Sequence, residues 1–95
     1  MPKAKWLHNA VIDLGDIADY IAADNKQTAR RMIARIREAA RLISRMPGVE
    51  RVGRVDGTRE FVVPGTQYLI AYQMVDKWVE ILAVRHGAQE WPEAF

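Results

Sequence analysis

The hydrophobic period of this chain changes once, near Met46-Pro47-Gly48, and that change restricts the fold more than any other feature. Before it, apolar residues recur every three or four positions, the spacing of one helix face. Leu7, Val11, Leu14, Ala18 and Ile21 form one stripe, with Asp13, Asp16 and Asp19 largely off it. Ala29, Ile33, Ile36, Ala40 and Ile43 form a second, flanked by Met32 and Met46. Asp24-Asn25 between them suits a tight turn and a cap for the second helix. Pro47 cannot continue that helix and Gly48 tolerates a left-handed exit. So short a connection predicts an antiparallel hairpin, and alanines at 18, 29, 39 and 40 permit close approach.

After Gly48 the period is two. Arg59–Val63, Tyr68–Val75 and Trp78–Arg85 read as strands, rich in β-branched and aromatic residues, with turns at 64–67 and Asp76-Lys77. Residues 51–54 extend the first of these backwards, with Asp56-Gly57 as a bend, and Lys3 to Leu7 is a candidate edge strand. Sequential strands with tight turns predict an antiparallel meander. The expected class is α+β, an N-terminal antiparallel helical hairpin packed on a small antiparallel β-sheet. In the last strand simple alternation places Trp78, Leu82 and Val84 on one face and Val79, Ile81 and Ala83 on the other. Both faces are therefore apolar; one takes the helices, and the other is expected to serve a partner or a covering tail. With no repeat, linker or low-complexity tract, residues 1–95 read as one domain.

A chain of 95 residues buries only about 60–65% of its unfolded surface, so a partner that covers apolar area adds noticeable stability. Cysteine is absent, which excludes disulfides and thiolate metal sites and points to a reducing compartment. Lys3 and Lys5 near the start precede no apolar run of the secretory kind, and no stretch approaches the roughly 18 apolar residues of a membrane span. The expected location is the cytoplasm, with no membrane association. Charge is segregated: residues 8–24 hold Asp13, Asp16, Asp19 and Asp24 without Lys or Arg. Residues 26–46 hold Lys26, Arg30, Arg31, Arg35, Arg37, Arg41 and Arg45 against Glu38 alone. Either the two segments pair with each other, or the basic one meets nucleic acid or an acidic protein.

Few side chains suit chemistry. His86 ends the last strand, Arg59 and Glu60 open the first long one, and Tyr68 and Tyr72 lie on the middle one. If Arg59 and His86 converge at one region of the sheet, the group suits phosphodiester cleavage. His86 or Glu60 would take the 2′-hydroxyl proton and Arg59 would stabilise charge on phosphorus. The competing reading is structural, with His86 closing a strand before Gly87. Two histidines 78 positions apart and no cysteine predict no metal and no cofactor. Ser44, the only serine, sits within a helix and is a poor nucleophile candidate. Trp91 either packs back on the sheet or anchors another protein.

Four blocks in order then resemble the ParE/RelE toxin superfamily over nearly the whole chain. They are residues 13–22, followed by Asp24-Asn25 and the helix containing Ala29; residues 57–63; residues 68–72; and residues 79–87, ending in Trp91-Pro92. The resemblance implies a helical hairpin on a small sheet and a cognate antitoxin that wraps the toxin as a hetero-oligomer. Arg30, Arg37, Arg41 and Tyr72 are the expected antitoxin contacts. It also implies one of two targets. RelE-like members cut messenger RNA in the ribosome, for which His86, Arg59 and Glu60 are the candidate catalytic residues of a metal-independent endoribonuclease. ParE-like members bind DNA gyrase without catalysis, for which Arg59, Arg85, His86 and Trp91 are the candidate contacts. Tyr68 stands where the ribonucleases usually carry arginine, and the blocks around Gly57-Thr58-Arg59-Glu60 and Tyr68–Tyr72 resemble the ParE branch more. Gyrase inhibition is the favoured expectation and the ribonuclease its alternative; a toxin that has lost toxicity and serves only in repression is a third reading.

Overall fold

The computed structural model describes residues 3–45, 51–53, 55–89 and 91. In chain order they form β1 (Lys3–Trp6), α1 (His8–Ala22), α2 (Lys26–Arg45), β2 (Arg51–Val52), β3 (Arg59–Val62), β4 (Tyr68–Val75) and β5 (Trp78–His86). The stop expected at Met46-Pro47-Gly48 lies outside the described residues. Asn25 caps α2 as its sequence predicts: its Oδ1 accepts a hydrogen bond from the Thr28 N–H at 3.0 Å.

The hairpin buries a seam shifted from the simple stripe. On α1 Ala10 and Leu14 are buried, with Ile17 packed against the core, whereas Val11 is 54% exposed. On α2 Ala29, Ile36, Ala39, Ala40 and Ile43 are buried. These residues pack on one face of the sheet, where Val63, Ile70, Tyr72, Val79, Ile81 and Val84 complete the core.

The sheet has five strands in the order β1-β5-β4-β3-β2. β2 through β5 pair antiparallel in sequence, as the meander predicts. Residues 51–52 do not lengthen β3, however; they form a separate strand, with Arg51 opposite Glu60. β1 lies on the far edge and runs parallel to β5, with Lys3 beside Trp78 and Trp6 beside Ile81. The sheet is therefore mixed, not purely antiparallel. Tight turns dictate direction only between consecutive strands, and β1 and β5 are not consecutive.

One irregularity changes which side chains share a face. Between Ala71 and Tyr72 the register with β5 steps from Ala83 to Ile81, leaving Leu82 as the extra residue of a β-bulge. Alternation is reset there, so Val84 joins Val79 and Ile81 on the helix-packed face instead of opposing them. The other face is not left open at its centre, since Leu69, Ala71, Leu82 and Ala83 are all buried. Of the two readings of this face, a binding surface or a covered one, the burial of its centre agrees with the second. Among the described residues no helix is long and apolar enough to cross a membrane.

Candidate functional site

The end of β5 is fastened into a turn by a short chain of hydrogen bonds. Gly87 N–H donates to the Gln67 carbonyl at 2.9 Å and Gln89 N–H to the His86 carbonyl at 3.0 Å. His86 N–H donates to Gln89 Oε1 at 2.6 Å. The imidazole is tied at both nitrogens. Ala88 N–H donates to Nδ1 at 3.1 Å, and Nε2 lies 2.5 Å from Gln67 Oε1. A backbone N–H can only donate, so Nδ1 carries the lone pair and Nε2 the hydrogen that Gln67 accepts. Tyr68 sits edge-on to the ring, 5.6 Å between centroids and 87° between planes. His86 thus opens onto a groove of about 810 Å³ whose other walls include Asp16, Ile17 and Tyr20 of α1 and Thr28 and Met32 of α2. Tyr20, on the rim, is 80% exposed.

The structure does not bring Arg59 and Glu60 to this groove. Arg59 is level with Tyr72, and Tyr72 with Ile81, whereas His86 is level with Tyr68. From Tyr68 to Tyr72 is about 13 Å at ~3.3 Å per residue, and two strand spacings of ~4.8 Å lie between β3 and β5. Glu60 is opposite Ala71, on the face of the sheet away from the helices, and is only 3% exposed. The convergence of Arg59 and His86, left open by the sequence, does not occur: the two residues that open β3 lie toward the other end of the sheet from His86. An antiparallel pair brings the start of one strand to the end of the next, so two such steps return Arg59 to the level of mid-β5.

Arg85 sits on a different contact. Its Nε lies 3.7 Å from Asp13 Oδ2, and the same oxygen accepts the Val84 N–H at 3.0 Å. β1 ends beside Ile81, and the Leu7 N–H closes that pairing on the Ile81 carbonyl. Beyond it the outward N–H groups of β5 have no strand to meet. Asp13 and Gln89 side chains serve Val84 and His86 in its place. Burial pushes the Asp13 carboxyl above its ordinary value, opposed by the Val84 hydrogen bond and Arg85 and assisted by the charge of Asp16. Sequence reasoning missed Asp13, Gln67 and Gln89, because polar residues off a stripe carry no local sign of what they touch.

On the outer side of the hairpin a second groove, of about 600 Å³, has an alanine-rich floor of Ala18, Ala22, Ala29 and Ala34. Lys26, Arg30, Arg37 and Arg41 line it. Arg41 pairs with Glu38 at 2.7 Å, both largely exposed, a pairing worth well under 1 kcal/mol. Among the described residues no ion pair joins α1 to α2, although Asp19 of α1 lines this groove with the four basic residues. Tyr72 is another matter: it is 0% exposed, inside the core, and the expectation that it meets an antitoxin is corrected. It faces the helices because β4 is covered on that side. Trp91, the last described residue, is half-buried.

A family model described as ParE toxin of type II toxin-antitoxin system, parDE, matches residues 4–91. The Sinorhizobium fredii protein Y4kP, named as a toxin, is 36% identical over 91 residues, covering 96% of this chain and 94% of that one. Toxin RelE2 of Caulobacter vibrioides is 33% identical over 89 residues, covering 94% and 99%. Among solved structures, a chain of the chromosomal ParDE system of P. aeruginosa matches with a TM-score of 0.82 at 22% identity, covering 90% of this chain and 96% of that one. A chain of the RelBE2 toxin–antitoxin complex of Mycobacterium tuberculosis matches with a TM-score of 0.68 at 27% identity, covering 90% and 99%. The fold is thus shared with these chains, and the chain belongs to the ParE toxin family of type II toxin–antitoxin systems.

Proposed function

We propose that this toxin arrests growth in the cytoplasm by binding DNA gyrase, without chemistry of its own, and that a cognate antitoxin neutralises it in a hetero-oligomer. The observation that carries the choice of target is the state of His86. Its Nδ1 lone pair already accepts from Ala88 and its Nε2 hydrogen is committed to Gln67. A general base needs a free lone pair within reach of the substrate hydroxyl, and no arginine or second acid of the proposed catalytic set lies beside the ring. His86 reads better as the fastener of a recognition groove than as a ribonuclease base.

The antitoxin reading rests on the hairpin groove. Arg30, Arg37 and Arg41 beside a floor of alanines suit a segment that alternates carboxylates with small apolar side chains. Relatives with solved structures come from ParDE and RelBE2 systems, in which toxin and antitoxin are paired.

The test is direct. Purified toxin added to gyrase and relaxed plasmid should block supercoiling and accumulate cleaved DNA; gyrase left untouched at micromolar excess ends the proposal. Transcript ends mapped after induction separate the alternative, since a gyrase poison yields no codon-phased cuts in messenger RNA. Growth that continues on induction without antitoxin would instead mark a toxin that has lost toxicity.

A further inference from the structure

On the face of the sheet away from the helices, three of the chain's four lysines surround an exposed tryptophan. Ala4 and Trp6 of β1 pack toward the helix-side core, and Val79 of β5 is buried in it. Alternation therefore puts Lys3, Lys5, Trp78 and Glu80 on the opposite face. The register sets Lys3 beside Trp78 and Lys5 beside Glu80, and Lys77 immediately precedes Trp78 in the turn. On the other flank Val75 pairs with Trp78. Trp78 is 46% exposed and Val75 41%.

Lys3, Lys5 and Lys77 against Asp76 and Glu80 leave this corner with a surplus of one positive charge. Glu80 is engaged, accepting from Gln73 Nε2 at 2.9 Å. Lys3, Lys5 and Lys77 are exposed, and among the described residues no ion pair engages any of them. Among the described residues, Asp76 in the turn is the other carboxylate of this corner. An aromatic and an aliphatic side chain at the centre, with cations around them, has the make-up of a protein-binding anchor inside a charged rim.

We propose that this corner docks an acidic segment of the target protein, with an apolar side chain of the target on Trp78 and Val75 and carboxylates against Lys3, Lys5 and Lys77. The proposal rests on the gyrase reading for the name of that target, not for the existence of the surface. A single-stranded nucleic acid is the poorer fit. It needs a continuous cationic track and repeated aromatic platforms, whereas this corner has one aromatic ring and retains Asp76 and Glu80. The corner lies at the opposite end of β5 from His86, and Trp78, Lys5 and Lys77 do not line the hairpin groove, whereas Lys3 also borders a groove with Arg37 and Arg41. Changes at Trp78, Lys5 and Lys77 should therefore leave the antitoxin groove intact.

The experiment compares full-length wild type, Trp78→Ser, Trp78→Phe and the double variant Lys5→Glu/Lys77→Glu for binding to immobilised gyrase. Binding to the cognate antitoxin reports folding. Trp78→Ser and the double lysine variant should each weaken gyrase binding about tenfold or more, Trp78→Phe less, with antitoxin affinity held within about twofold. Should Trp78→Ser fail the antitoxin control, the double lysine variant decides. Gyrase binding at wild-type strength in a folded variant overturns the proposal. If the wild type does not hold gyrase, the gyrase reading falls and growth arrest becomes the readout. Arrest lost in folded variants then supports docking to another acidic protein, and arrest retained overturns it. A labelled single-stranded oligonucleotide that binds wild type and not Trp78→Ser, with protein binding unchanged, also overturns it. A wild type that neither holds gyrase nor arrests growth overturns both readings.

Discussion

Replacing Asp13 by alanine and by asparagine separates two contributions that meet at one oxygen. Oδ2 accepts the Val84 N–H at 3.0 Å and stands 3.7 Å from Arg85 Nε, with the two side chains 20% and 28% exposed. Alanine removes the acceptor and leaves the outward N–H of β5 without a partner, which costs about 1–3 kcal/mol. The Arg85 attraction adds less, since 3.7 Å exceeds hydrogen-bond reach and the buried Arg85 Nε gains no hydrogen bond from it. Asparagine keeps an oxygen for Val84 and removes a carboxylate that burial holds above its ordinary range. Asp13→Ala should therefore lower stability by about 1–3 kcal/mol, and Asp13→Asn by less than about 1 kcal/mol. Each kcal/mol corresponds to about 4–8 °C in Tm for a chain of this size. Urea unfolding across a pH series tests the sign. Because the native carboxyl titrates above its unfolded value of 3.8, the native state keeps a proton that the unfolded chain has already lost. The contribution of this group is fully present below the unfolded value and declines as pH rises through the native one. Asp13→Asn lacks this decline, so its stability relative to wild type should improve as pH rises through that window and then level off. The opposite trend, or an Asp13→Asn loss as large as that of Asp13→Ala, refutes the reasoning.

Asn25→Ala deletes the side-chain cap on α2 and should cost about 1 kcal/mol, read as a midpoint shift in urea. Gly65 has φ +75°, and a Cβ there would stand 3.0 Å from Arg35 Nη1. Gly65→Ala should therefore destabilise by about 1–2 kcal/mol, measured by the same titration. Tyr72→Ala opens a cavity in the core and should cost about 3–5 kcal/mol, visible as a large loss of Tm; a protein that tolerates it would contradict the assignment of Tyr72 to the core. Arg30→Glu/Arg37→Glu should weaken binding to the cognate antitoxin about tenfold or more in low salt, with the deficit shrinking as salt rises. Equal affinity for both proteins in calorimetry would remove the hairpin groove from the antitoxin interface.

What the residues alone determine here is local. The 3.6-residue period of residues 7–43, the Asp24-Asn25 cap and the two-residue period after Gly48 specify a helical hairpin followed by a meander, because each signal is written within a few residues of the element it forms. Four ordered blocks likewise suffice for the family, since they record side chains and not their contacts. Only the tertiary structure decides what depends on distant segments. β1 joins β5 in parallel, a pairing that spans more than seventy positions and that no turn constrains. A single bulged residue, Leu82, reverses the parity of the last strand and sends Val84 into the helix-side core. The same register carries Arg59 away from His86, places Tyr72 beneath the hairpin and sets Lys3 beside Trp78 and Lys5 beside Glu80. Periodicity states which residues share a face of one element. Which faces meet is a property of strand order and register, and there the candidate sites of this toxin are made or lost.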